Sequence, residues 1–236
     1  MPNETNALRI FSGGAPQQVL RALTPEIEKS IGRRVDFTFA LVSEITRRLA
    51  DGELVDLVLL PVQLIDVLGR TVALRPDSRS EIARVGIGVI VREDAPRPDI
   101  SNADAVSAML LAARNVALPD PSTPSGSHLA RVMVQLGIAE AMASKSIHKG
   151  AIHGGGELVA RGEADVGLYL VSEVRTVANI AIVGLLPPAV QSYVVYGAAI
   201  PASNAAPEDA RAFIRFVTDP ARAEMWRAGG FELAGC

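Results

Sequence analysis

Short apolar strands, each leading through a small-residue loop into an amphipathic helix, predict an α/β chain of two doubly wound lobes. Three observations carry this. Strands and helices alternate from residue 8 onward with short links. The order strand, serine–glycine loop, helix follows Phe11 and returns after Leu118, and a further loop, helix and strand fill 153–170. Val55–Leu60 is continuously apolar, as in a strand covered on both faces. Short β–α links favour open sheets with helices on both faces, and such sheets take ligands at the carboxyl ends of their strands.

Leu8–Phe11 reads as the first strand, ending in Ser12-Gly13-Gly14. Pro16 then fits the first turn of a helix, which carries Val19, Leu20, Leu23, Ile27 and Ile31 on one side. Val35–Phe39 alternates as a second strand, and Ser43 could cap a helix holding Ile45 and Leu49. Val85–Val91 is a longer strand, and Ser101 starts the next helix. Asn115–Leu118 leads through the polar loop Pro119–His128 into a helix bearing Leu129, Val132, Met133 and Leu136. Strands at Ile180–Val183 and Gln191–Ile200 precede two terminal helices, one opened by Pro207 and one by Asp219-Pro220. One lobe is expected at 1–84 plus 201–236 and the other at 85–200. Strand-like crossings near 82–92 and 190–200 would form the hinge.

Composition excludes several function classes. The chain has 236 residues, 49% of them apolar but only 4% aromatic, so its core is aliphatic. A formal charge of −3 leaves no basic field for DNA or RNA, although a small anion needs only local donors. Cys236 is the single cysteine, so no disulfide framework forms within the chain. His128, His148 and His153 lack zinc-motif spacing, and neither metal nor cofactor is expected. No apolar run reaches the roughly eighteen residues of a membrane span. Met1–Leu8 is polar, so the chain as written is expected in the cytoplasm, or in the periplasm if a leader has been removed.

The stretch His153–Leu170, HGGGELVARGEADVGLYL, stands out. Gly154, Gly155 and Gly156 leave the backbone bare, and the helix opening at Glu157 would turn its positive end the same way. Unpaired N–H groups at such a turn predict an anion site.

Five segments, in order, resemble the periplasmic molybdate-binding proteins of the type II solute-binding superfamily: LRIFSGGAPQQVLRAL, VDFTFALVSEITRRLADGELVDLVLL, ALPDPSTPSGSHLARVMVQLGI, GELVARGEADVGLYLVSEV and AFIRFVTDPARAEMWRAGGF. The resemblance implies a periplasmic binding protein type II fold that clamps one anion between its lobes. It also implies neutral donors: two serine hydroxyls, backbone N–H groups and a tyrosine hydroxyl. Carried over, the first serine is Ser12 beside Gly13. The second falls on Val42 with Ser43 adjacent, the backbone donor on Ser125 with Gly126, and another near Ile152-His153. The tyrosine position lands on Leu170, with Tyr169 one residue earlier. Ser127, His153, Gly154 and Gly155 add donors to the pattern, which favours a small carboxylate over molybdate.

The leading expectation is a solute-binding protein, with an ABC importer as partner if the chain is exported. The alternative is an isomerase of a small tricarboxylate, because the resemblance extends to an aconitate isomerase-like branch. There His153 or His128 would move the proton.

Overall fold

The computed structural model describes residues 7–204 and 207–234, so the polar start at 1–6 and Cys236 lie outside the described residues. The chain forms two compact units, one of residues 1–84 and 195–236, the other of residues 85–194.

In the first unit, β1 (Leu8–Ser12), α1 (Gln17–Ile31), β2 (Val35–Phe39), α2 (Val42–Ala50), β3 (Leu57–Pro61) and α3 (Val62–Leu68) alternate as the sequence predicts. β1 pairs in parallel with β2 on one side, Ile10 opposite Phe37, and with β3 on the other, Ile10 opposite Leu57. Parallel pairing places the carboxyl ends of all three strands, and the helix starts that follow them, along one edge. α1 continues through Pro25 and ends at Gly32, whose φ of 68° suits the left-handed cap. Its buried positions, Val19, Leu20, Leu23 and Ile27, follow the helical spacing. Phe11, Val58, Leu60, Ile45, Leu49 and Ile65 pack into one cluster between sheet and helices.

In the second unit, β4 (Ser80–Arg92, of which Val85–Arg92 belong here) is followed by α4 (Ala103–Ala112), β5 (Val116–Leu118), α5 (Pro124–Gln135), α6 (Ala139–Ala143) and β6 (Ser146–His148). Then come a 3-10 turn (Ala151–His153), α7 (Gly155–Ala160), β7 (Val166–Leu170), α8 (Val171–Val174) and β8 (Ile180–Leu185). The strand order is β8-β4-β7-β5-β6. β5 is parallel to β6 and β7, whereas β4 is antiparallel to β7 and β8. Gly88 and Gly167 are required there: an added Cβ would lie 2.5 Å from Val171 Cγ1 and 2.8 Å from Ile90 Cγ1 respectively.

The chain returns to the first unit along β9 (Tyr193–Ala199), which runs antiparallel to β3 with Tyr196 opposite Pro61. α9 (Pro207–Val217), α10 (Ala223–Ala228) and β10 (Glu232–Leu233) complete it, β10 pairing with Ala83 and Arg84. Trp226 is fully buried, donates to the Val217 carbonyl at 2.8 Å and meets Phe231 edge-to-face.

Both units are therefore mixed α/β, with parallel cores and antiparallel strands where the chain passes from one unit to the other. Asn102 caps α4 in place of Ser101, its side chain accepting from Ala105 N–H at 2.9 Å. Among the described residues no helix is long and apolar enough to cross a membrane. The same residues hold no cluster of three or more histidine, cysteine or carboxylate groups that could hold a metal ion.

Candidate functional site

The edge at the carboxyl ends of β1, β2 and β3 collects hydrogen-bond donors. Helices α1, α2 and α3 start after Pro16, Leu41 and Pro61, and none of these caps its helix through a side chain. At the start of α1 the Gln17 N–H donates to the Gly14 carbonyl at 3.1 Å, and the helix dipoles add positive potential along this edge. Ser12 is fully buried and its hydroxyl donates to the Gly13 carbonyl at 3.0 Å. Gly13 N–H donates to the Leu59 carbonyl, and the Ser12 carbonyl accepts from Ala40 N–H, so the turn is pinned to β3 and to the loop after β2.

Ser43 corrects an expectation. It is the second residue of α2, exposed, and the cap position is Leu41. Val42 is half-buried while Ile45 and Leu49 are buried, and that spacing starts the helix one residue earlier than Ser43.

In the second unit the serine-rich loop after β5 is organised by Thr123. It caps α5, its hydroxyl accepting from Gly126 N–H at 3.1 Å and donating to the Asp120 carbonyl at 2.7 Å. A Cβ on Gly126 would lie 2.0 Å from that same carbonyl oxygen, so packing demands glycine there. Ser125 is buried, with its hydroxyl 3.5 Å from that of Thr123. Ser127 accepts from Arg131 at 2.8 Å. His128 donates through Nε2 to the Val190 carbonyl at 2.9 Å, which holds the ring in place. Gly126 N–H and Ser127 N–H both bond within this turn, to the Thr123 hydroxyl and the Thr123 carbonyl respectively. Thr123→Ala should lower stability by about 1 kcal/mol, read as a fall in urea midpoint with unchanged slope.

The glycine turn differs more. His153 N–H and Gly155 N–H both donate to the Gly150 carbonyl, and Gly154 N–H donates to Ala151. These three amides are consumed by the turn and do not form the bare cradle that the sequence suggests. Gly155 and Gly156 are buried because side chains fill the space beside them. A Cβ on Gly155 would meet Tyr169 Oη at 2.4 Å and the Lys149 carbonyl at 2.5 Å, and one on Gly156 would meet Val177 at 3.0 Å. Only Gly154 needs glycine for its backbone, at φ 90°. His153 is exposed. Tyr169 is fully buried and donates to Lys149 O at 2.9 Å. Burial raises its phenol pKa, with smaller contributions from Glu173 and Glu157. Its hydroxyl is a structural bond and is not presented to a guest.

Beside this turn, a cavity of about 540 Å³ is lined by Glu157, Glu173, Arg161, Thr176 and Asn179 among others. Glu157 Oε2 is buried with no hydrogen-bond partner. Burial pushes the Glu173 carboxyl up to about 7. Neither acid stands out in the sequence, where Glu157 reads as an ordinary first-turn helix residue. Gln191 holds β4, accepting from Ile87 N–H and donating to Ile87 O at 3.0 Å each.

Tyr196 is a residue that sequence reading passed over. A Cβ on Gly13 would lie 3.3 Å from Tyr196 Cε1 and 3.6 Å from its hydroxyl, so the phenol borders the Ser12–Gly13 turn. Nothing local in YVVYG marks that contact, which depends on the pairing of β9 with β3.

Comparison with known proteins agrees with this architecture. The chain is 33% identical over 233 residues to an aconitate isomerase from Pseudomonas sp., covering 95% of this chain and 87% of the relative. The periplasmic molybdate-binding protein of Azotobacter vinelandii superposes with a TM-score of 0.75 at 17% identity, over 95% of this chain and 98% of the other. The sulfate-binding protein SubI of Mycobacterium tuberculosis H37Rv gives 0.75 at 20% identity, over 98% of this chain and 88% of the other. Both solved structures show the fold, that of the type II periplasmic binding proteins. A profile described as bacterial extracellular solute-binding protein spans residues 8–232, and the chain belongs to that family.

Proposed function

We propose that this protein binds a small carboxylate anion of the aconitate class through uncharged hydroxyl and amide donors. The carrying observation is the set of three helix starts without side-chain caps at the ends of β1, β2 and β3, beside buried Ser12. Oriented amide dipoles stabilise an anion while the site itself stays uncharged. The isomerase relative, at 33% identity, supports a carboxylate over a metal oxyanion.

Thermal unfolding against trans-aconitate, cis-aconitate, citrate, molybdate and sulfate tests the reading. A guest at about 100 times its Kd adds about 2.7 kcal/mol and should raise the melting temperature by several degrees. Aconitate should give the largest rise. A rise with molybdate or sulfate and none with the carboxylates would overturn it.

The same relative favours a second reading, isomerisation of the bound tricarboxylate. A base removes a proton from the methylene carbon, the double bond shifts by one position, and the proton returns at the far allylic carbon. Donors on the carboxylate oxygens spread the intermediate charge. His153, whose imidazole is exposed, is the candidate base, and His128 is less available because its ring holds Val190. Under this reading, trans- and cis-aconitate interconvert when followed by proton NMR, and His153→Ala abolishes turnover while retaining affinity.

A further inference from the structure

We propose that the cavity beside the glycine turn is a second binding site, which takes a small primary ammonium ion between the carboxyl groups of Glu157 and Glu173. The inference does not depend on the carboxylate reading above, because it concerns a different set of residues.

Two successive helices bring the acids together. Glu157 is in the first turn of α7 and Glu173 is in α8, with β7 between them. Val174 and Val177 lie against Gly156, which has no side chain to hold them off: a Cβ there would come within 3.4 Å of Val174 and 3.0 Å of Val177. That close approach sets both glutamates on one cavity of about 540 Å³, whose wall also includes Ala151, Ala160, Val177 and Ala178. As whole residues the two acids are half-buried, but the Glu173 carboxyl and Glu157 Oε2 are their buried ends. Among the described residues Glu157 Oε2 has no hydrogen-bond partner. Burial is the single cause of the raised Glu173 pKa, with no cation or donor opposing it. A buried carboxylate oxygen without a donor is destabilised, so an N–H brought in by a guest is favoured at each end.

The chain's own cations leave that place open. Arg161 borders the cavity, but its Nε donates to Glu163. Lys149 Nζ stands 3.5 Å, and Glu157 Oε2 3.7 Å, from the position of a Cβ on Gly154, yet no hydrogen bond joins the two. The lining then chooses among cations. Hard divalent ions take six or more oxygen ligands, and the described residues hold no group of three metal-ligating side chains here. A primary ammonium has three N–H donors to divide between two carboxylates, and its alkyl chain would cover the alanine and valine wall.

The test is titration calorimetry of the full chain with n-propylammonium, tetramethylammonium and magnesium chlorides at equal ionic strength. It is run at pH 8, above the value of about 7 to which burial pushes Glu173. Propylammonium should bind with a Kd on the order of millimolar, the range for so small a ligand. Tetramethylammonium has the same charge and no N–H, and it should bind at least about tenfold more weakly, as should magnesium. Glu157→Gln and Glu173→Gln should each weaken propylammonium binding about tenfold or more, whereas Lys149→Ala should bind at least as well as the parent. In the parent, amide NMR shifts on adding propylammonium should centre on Ala151, Glu157, Val177 and Ala178, a readout that needs no variant to fold. Equal binding of tetramethylammonium, tighter binding of magnesium, parent-like affinity in both glutamine variants, or shifts centred elsewhere would each overturn the inference.

Discussion

Gly155→Ala is expected to cost about 3 kcal/mol or more, because its Cβ would enter occupied space. One obstacle is a backbone carbonyl, Lys149 O at 2.5 Å, and the other is Tyr169 Oη at 2.4 Å. Neither can retreat cheaply. The tyrosine is fully buried, and its hydroxyl bond to that same carbonyl ties the two together. Gly154→Ala is the control. It carries the left-handed strain of φ 90° but meets no atom nearer than 3.5 Å, so about 1–2 kcal/mol is expected. Urea denaturation should therefore rank parent, Gly154→Ala and Gly155→Ala in falling midpoint. A Gly155→Ala midpoint equal to that of Gly154→Ala would refute the packing account of the triple glycine.

Glu173→Gln should stabilise the protein at pH 8 and leave it unchanged near pH 4. Burial raises the carboxyl from its ordinary 4.5 to about 7. A raised acid pKa means that the folded chain holds the proton more tightly than the unfolded chain. Below about 4.5 both states are protonated and there is no penalty. Between about 4.5 and 7 the unfolded chain ionises first, so this group's contribution falls as pH rises, and above 7 the loss is complete. The full shift corresponds to about 3 kcal/mol, and water entering the cavity should reduce it to on the order of 2 kcal/mol. The groups that face it are Glu157 and Arg161, which share the cavity, and Tyr169, whose phenol responds to its charge. Glutamine removes the ionisation, so the variant-minus-parent difference in melting temperature should grow across that window and then level off. A difference that stays flat from pH 4 to 8 would show that Glu173 titrates as a solvated acid.

Much of the fold is legible in the residues. Apolar spacing in α1 and the unbroken apolar run of β3 name their elements, because each depends on a local period. The short β6 and β10 do not announce themselves: three residues in one and two in the other carry too little pattern, and pairing with β5 and β4 decides them. The site divides in the same way. Ser12 lies at a strand end, as its loop suggests. The triple glycine looks like an open anion cradle, but Tyr169 packs against Gly155, Val174 and Val177 crowd Gly156, and the Gly150 carbonyl collects two of the turn's amides. Those partners lie up to twenty-odd residues away, beyond any local reading. Tyr196 has the same cause in reverse: its neighbour Gly13 is distant in sequence and near only through the sheet.

The discontinuity of the first unit bears on biosynthesis. Residues 85–194 form an uninterrupted unit, whereas 1–84 waits for 195–236. On a ribosome the later-starting unit can therefore finish first. The edge of β3 that later pairs with β9, Val58–Pro61, stays uncovered for the few seconds that translation as far as β9 takes. That interval is when a chaperone would find its target.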